Sequence, residues 1–408
     1  MKSVKFTSVL YNKWAFPVLL IIIMMEYSCT KKQNFGPIET ISIDPRKMKP
    51  EVDITYAIDT GYFEIIPLET NNDCLIAEVT RIYLLNNKIV VYDAMAHGAY
   101  IFNRDGSYHA KVCAVGQGPG QYPASINDIM VSNNYIGVLV PPFGIMFYDF
   151  DGNFVKKISL EGSWGINLFT FDDIDYYLVN DWSRTDIGCY FFFKLNSEKN
   201  RVYSYLPFSE QDGKNGRGWG LDKYYNLYDN SALIYFSSID TLFHVTPSGE
   251  IIPRYAIDIA YNKMPDELKR GNGYEALKSA AANNYYTGIA NVAETSRYLF
   301  LKINGINYAV YDKKEKEIKT IAIVHKIPSF CNVGIADIFS STEGDYILTY
   351  GSGFDLFNYK KNITKMQADK SRKNGDGINA FEKEFFKVLQ NIKNEEDNPV
   401  VFIFKAKD

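Results

Sequence analysis

Several chemistries are missing from this chain of 408 residues. It has five cysteines and no CxxC pair, and its four histidines, His97, His109, His244 and His325, share no metal-ligand spacing. There is no GxSxG nucleophile elbow and no HExxH. The glycine-rich stretch Gly116-Gln117-Gly118-Pro119-Gly120-Gln121-Tyr122 lacks the Lys-Ser/Thr ending of a phosphate loop and loses a backbone donor at Pro119. Asn374-Gly375-Asp376-Gly377 looks like part of a calcium loop. An EF-hand, however, needs acids where Arg372 and Lys383 stand. No metal and no cofactor is expected. Positive charge is also short: the formal net charge is −4, which argues against nucleic acid as a partner. The only long apolar run is Trp14 to Met25, too short to span a bilayer, which takes about 20 residues.

That run has the form of an export signal, since Lys2, Lys5 and Lys13 surround or precede it. Glu26-Tyr27-Ser28-Cys29 follows, and a small residue directly before a Cys resembles the lipobox of bacterial lipoproteins, although Glu26 departs from the usual aliphatic residue. The resemblance implies acylation of Cys29. Residues 1–28 then read as a lipoprotein signal peptide, 29–50 as a flexible tether and 51–408 as the folded body. Losing Lys2, Lys5, Lys13 and Glu26 takes the net charge to −6. The expected location is the cell envelope, with the periplasmic side favoured because Thr30-Lys31-Lys32 carries no acidic export cluster. Cys74, Cys113, Cys189 and Cys331 lie in or beside apolar runs and are expected as buried free thiols.

What the chain does have is a repeat. Residues 81–112, RIYLLNNKIVVYDAMAHGAYIFNRDGSYHAKV, return about 46 residues later as DIMVSNNYIGVLVPPFGIMFYDFDGNFVKKI, 128–158. Asn86-Asn87 matches Asn133-Asn134, and Asp105-Gly106 matches Asp151-Gly152, a hairpin signal. Four alternating apolar runs per unit, here named A to D, predict a β-propeller. Further units turn near Ser197-Glu198, Ser248-Gly249 and Lys314-Glu315. The last unit has A at 335–340, B at 346–350, a helical insertion at about 360–397, and a final strand Val400 to Lys405 with nothing after it. Tyr62 to Leu68 is a spare strand at the other end, so pairing of the two termini completes a sixth blade. The expected fold is all-β: a six-bladed β-propeller closed by its N- and C-terminal strands, with a further helical insertion at about 261–287.

IIPLETNNDCLI (65–76), VGQGPGQYPASINDI (115–129), FYDFDGNFVKKI (147–158), DNPVVFIF (397–404) and the lipobox-like start together resemble the exported six-bladed β-propeller lipoproteins of anaerobic Gram-negative gut bacteria, related to NHL-repeat propellers. The resemblance implies fold, repeat and location. It implies no activity.

Function is expected on one face. D–A and B–C connections open on the same side of a propeller, and here they are the long and irregular ones. They carry Trp164, Trp182 and Trp219 with His97, Arg184, Arg217, Tyr224 and Tyr225, and also Tyr285 and Tyr286. Rings that stack on sugars and side chains that bond hydroxyls or acids make that face the expected binding site for a glycan, a peptide or an envelope protein. Two other readings stay open. One is a glycan- or peptide-acting hydrolase or lyase using His97, Arg184 and Arg217. The other is a scaffold docking through the amphipathic helix Phe381–Ile392.

Overall fold

The computed structural model describes residues 38–47, 54–85, 87–123, 126–160, 165–180, 189–196, 198, 201–216, 224–236, 238–269, 271–303, 307–321, 337–341, 344–370 and 380–408. Six antiparallel sheets form a ring, a six-bladed β-propeller. The A strands are Arg81–Leu85, Asp128–Val131, Asn167–Thr170, Tyr225–Tyr228, Ile289–Glu294 and Phe339–Ser340, in blades 1 to 6. Those of blades 2 and 3, of 4 and 5, and of 5 and 6 contact one another around the axis. B and C strands lie further out, and D strands form the rim.

Burial follows that order. In blade 2, A (DIMV), B (IGVLV) and C (GIMFY) are buried throughout, while D, Phe154–Ile158, is half-exposed. The reason is that both faces of a blade pack on its neighbours, so inner strands read as continuous apolar runs rather than alternating ones. Tyr148, Tyr176, Tyr177 and Tyr235 are among the side chains filling these interfaces. The Asp-Gly hairpins are C–D turns, as expected. Gly106 takes φ +88°, and a Cβ there would meet the Pro67 carbonyl of blade 6 at 2.2 Å.

The ring closes through its termini. Ile58–Pro67 pairs with Val400–Ala406 as the D and C strands of blade 6, with Phe63 opposite Phe404 and Ile66 opposite Val401. Asn398, only 2% exposed, fastens the seam. Its Oδ1 accepts from Ile76 N at 2.9 Å, its Nδ2 donates to Glu69 O at 2.7 Å, and its own N donates to Thr70 Oγ1 at 2.8 Å.

Three expectations need adjustment. The tether contributes a strand: Glu39–Ile43 runs parallel to Tyr255–Ile259, making blade 4 five-stranded, because Ile41 and Ile43 alternate inward. The segment then reaches across blade 5, where Tyr311 donates to Glu39 and Lys319 sits 3.9 Å over the Tyr56 ring. The insertion in blade 6 begins earlier, at Gly353–Lys370, because Ser352 Oγ accepts from Asp355 N at 3.1 Å and caps that helix. Its second helix, Ala380–Asn391, buries Phe381, Phe385, Val388 and Leu389 on blade 6. The Phe381 ring lies 5.1 Å from that of Phe63. That apolar stripe is therefore occupied and is not a docking face. Finally, Cys74 is buried and Cys189 half-buried, but Cys113 is exposed; all three are free, and Cys29 and Cys331 lie outside the described residues.

Candidate functional site

The A strands of blades 1 to 3 open on a polar residue, and those of blades 4 and 5 carry one at the second and third positions, Asn226 and Asn291. These residues gather at the D–A end of the axis. Arg81, Asp128, Asn167, Asn226 and Asn291 are each at most 8% exposed. They clasp blade to blade. Asp128 Oδ2 accepts from Leu168 N at 2.9 Å, Asn167 Oδ1 from Tyr224 N at 2.8 Å, and Asn226 Oδ1 from Glu294 N at 3.1 Å. Asn291 Nδ2 donates to Ile338 O at 3.0 Å. The four carboxylate and amide side chains are tolerated here because each has a fixed partner, whereas Nε and Nη2 of Arg81 are buried without a hydrogen bond among the described residues.

Arg81 does more. Its Nη1 lies 3.2 Å from Asp128 Oδ1, 2.9 Å from the Tyr83 hydroxyl and 2.6 Å from the Tyr225 hydroxyl, with the guanidinium 4.5 Å over the Tyr225 ring. Blade 4 stands opposite blade 1 in a ring of six, so this contact crosses the axis and plugs it. Burial works against the charged guanidinium and is the largest single influence, but the Asp128 carboxylate together with the Tyr225 and Tyr83 hydroxyls outweighs it and keeps Arg81 protonated. Burial also pushes the Asp128 carboxyl and the Tyr225 phenol up. A shallow cavity of about 40 Å³ sits on the plug, between Arg81, Tyr225, Asn226, Asn291 and Ser340.

The other end of the axis is roomier. A cavity of about 390 Å³ lies between the ends of the A strands of blades 1 to 4 and the A–B turns of blades 2 to 4. Leu85, Val131 and Leu227 form apolar wall; Asn133, Asn134, Asp172, Asp173 and Asn230 form the polar rim. Asp172-Asp173, legible only as an acidic cluster, is the A–B turn of blade 3. A second hollow of about 380 Å³ adjoins it at Tyr228 and Ser231 and is lined by His244, Arg254 and Glu294.

The expected site residues fare unequally. Tyr225 forms half of the axial plug. Tyr224, beside it, is 1% exposed and packs on Phe236. His97 is half-buried in the B–C turn of blade 1, where its carbonyl accepts from the Tyr122 hydroxyl at 2.8 Å. It lines none of these cavities. Trp164, Trp182, Arg184, Arg217, Trp219 and the lipidation residue Cys29 lie outside the described residues, as does the stretch 374–377. Sequence reading missed Arg81, Asp128, Asn226 and Asn291. Their signal is positional: one polar residue within the first three positions of the A strand in each of units 1 to 5, visible only once the units are aligned.

Among the described residues, no group of three or more His, Cys, Asp and Glu is placed to hold a metal ion, and no helix is long and apolar enough to cross a membrane. A family described as "Domain of unknown function (DUF4934)" matches residues 42–405. A protein of Bacteroides fragilis NCTC 9343, described as exported, shares the fold at TM-score 0.68 and 18% identity, over 90% of this chain and 100% of that one. A DUF4221 member from Bacteroides vulgatus gives TM-score 0.48 at 13% identity, over 85% and 97% of the two chains. A protein from Bacteroides thetaiotaomicron described as of unknown function gives 0.44 at 10% identity, over 85% and 76%. No curated protein matches the chain.

Proposed function

The chain belongs to the DUF4934 family, and from that premise we propose that it is an extracytoplasmic binding propeller. It is tethered to the cell envelope by lipid on Cys29, with the periplasmic side favoured, and it takes a glycan, a peptide or a protein partner through its D–A and B–C face. One observation carries this reading. Every α-helix among the described residues lies on a D–A or B–C connection, and D–A connections run from 8 to 29 residues; A–B and C–D connections have five or fewer. Elaboration of one face of a rigid ring is how propellers gain a binding surface. Trp164, Trp182, Arg184, Arg217 and Trp219 all fall on these connections. The basic and apolar leader supports export, and it agrees with the description of the Bacteroides fragilis protein.

The test is a thermal-shift screen of the full-length chain against glycan and peptide pools, with each hit analysed for turnover. A stabilising hit that stays unmodified, and is lost in Trp182→Ala and Trp219→Ala without change in melting temperature, meets the expectation. Unchanged affinity in both variants sinks it, and a consumed hit makes the protein an enzyme. For the tether, Cys29→Ser should abolish metabolic labelling by palmitate.

A further inference from the structure

We infer that the cavity at the A–B end of the axis is a second binding site, and that it takes a neutral sugar. It lies on the opposite side of the ring from the loop-rich face and does not depend on that face. The Arg81–Tyr225 contact closes the axis between the two ends, so the cavity is a blind pocket rather than part of a channel. At about 390 Å³ it falls in the range of small-molecule sites, roughly 300–1,000 Å³.

The lining defines the ligand. No Lys, Arg or His contributes to this cavity among the described residues, whereas Asp172 and Asp173 do. An anion would meet only repulsion there. The remaining polar groups are of mixed character. Asn133 and Asn230 line it as exposed turn residues, and their amides each offer donors and acceptors together. Asn134 Nδ2 donates to Asp173 Oδ2 at 2.9 Å, which leaves the Asn134 carbonyl as an acceptor. Asp173 Oδ1 is buried without a donor. Asp172 Oδ1, by contrast, is satisfied within the turn, accepting from Ile174 N and Asp175 N at 2.9 and 2.8 Å.

A hydroxyl both donates and accepts, so a ring of hydroxyls can satisfy amides and carboxylates at once. An ammonium only donates and would strand the amide N–H groups. The apolar part of a sugar ring has its own counterpart in Leu85, Val131, Leu227 and Phe171. Tyr228 stands at the edge with its hydroxyl anchored to Asp345, so the ring is held in place. Turns from three blades and the strand end of a fourth surround the space, which favours a compact ring over an extended chain.

Calorimetric titration of the full-length chain settles the matter. The probes are glucose, galactose, N-acetylglucosamine, maltose, lactose and cellobiose, with spermidine and tetra-alanine as contrasts. At least one neutral sugar should bind. Asn133→Arg, an exposed turn position, should fill the cavity and weaken that sugar by about tenfold or more, equivalent to about 1.4 kcal/mol. Asn134→Ala, which only trims an amide, should weaken it in the same direction, and Trp219→Ala should leave it unchanged. The inference fails if no neutral sugar binds. It also fails if spermidine or tetra-alanine takes the site instead, or if the sugar is lost in Trp219→Ala and kept in Asn133→Arg. That last pattern would assign the sugar to the loop-rich face and so uphold the proposed function while overturning this site.

Discussion

Arg81 and Tyr225 meet across the propeller axis: a guanidinium of blade 1 donates at 2.6 Å to a phenol of blade 4, 144 positions later in the chain. Asp128 of blade 2 supplies the counter-charge with its side chain wholly buried. Breaking such a pair leaves a charge without a partner, which costs about 3–5 kcal/mol. Arg81→Leu should therefore lower stability by that order in urea unfolding. Arg81→Leu combined with Asp128→Leu should recover part of the loss. Additive losses in the double variant would mean that the pair does not act as a unit.

The seam at Asn398 gives a second expectation. Its side chain satisfies Ile76 N and Glu69 O, so Asn398→Ala leaves buried backbone groups unpaired at about 1–3 kcal/mol each. The melting temperature should fall, and limited proteolysis should cut first within residues 69–76. Cleavage elsewhere with the seam intact would contradict the role given to Asn398.

Stability should also depend on acid through Asp312. Burial pushes its carboxyl up, but the Arg297 guanidinium and the N–H groups of Glu315 and Lys314 outweigh burial and hold it below the usual range. A carboxyl lowered in the folded state stabilises the fold above its unfolded value, about 3.9, and that contribution disappears as pH falls through the folded value. Denaturation midpoints should hold steady down to about pH 4 and decline below it. Asp312→Asn should flatten the decline while lowering stability at pH 7. An acid limb of equal steepness in the variant would refute the assignment.

Gly144 starts strand C of blade 2 at φ +136°, and a Cβ there would lie 2.2 Å from the Ile158 carbonyl. Gly144→Ala combines a backbone conformation closed to other residues with a clash against main chain, and should cost about 2 kcal/mol or more by chemical denaturation. A neutral result would show that strand D of blade 2 shifts freely.

Much of this fold is legible in the sequence because its signals are local. Asp105-Gly106, Asp151-Gly152 and Ser248-Gly249 mark turns wherever they occur, and VVFIFKA is an apolar run that reads as a buried strand, paired here with Ile58–Pro67 and Tyr346–Gly351. Blade 3 is harder to read: its strands NLFT and DYYLV flank Asp172-Asp173, so a turn between two short strands looks like an isolated acidic cluster. The polar residues at either end of the axis are harder still. Arg81, Asp128, Asn226 and Asn291 come from different blades, and what unites them is a position in the ring that no spacing rule describes. Length of connection points to one face, yet a roomy cavity lies at the other, where the turns are short. Short turns leave space at the end of the axis that long ones would cover.

Closure by the two termini has a bearing on biosynthesis. Ile58–Pro67 leaves the ribosome long before its partner Val400–Ala406, which lies more than 300 positions later in the chain. Until then one edge of the ring has no neighbour. Pairings so distant in sequence form slowly, and an unpaired strand edge invites contact with other chains in the interval. The nascent protein therefore has reason to be kept unfolded, or chaperoned, until Val400–Ala406 emerges.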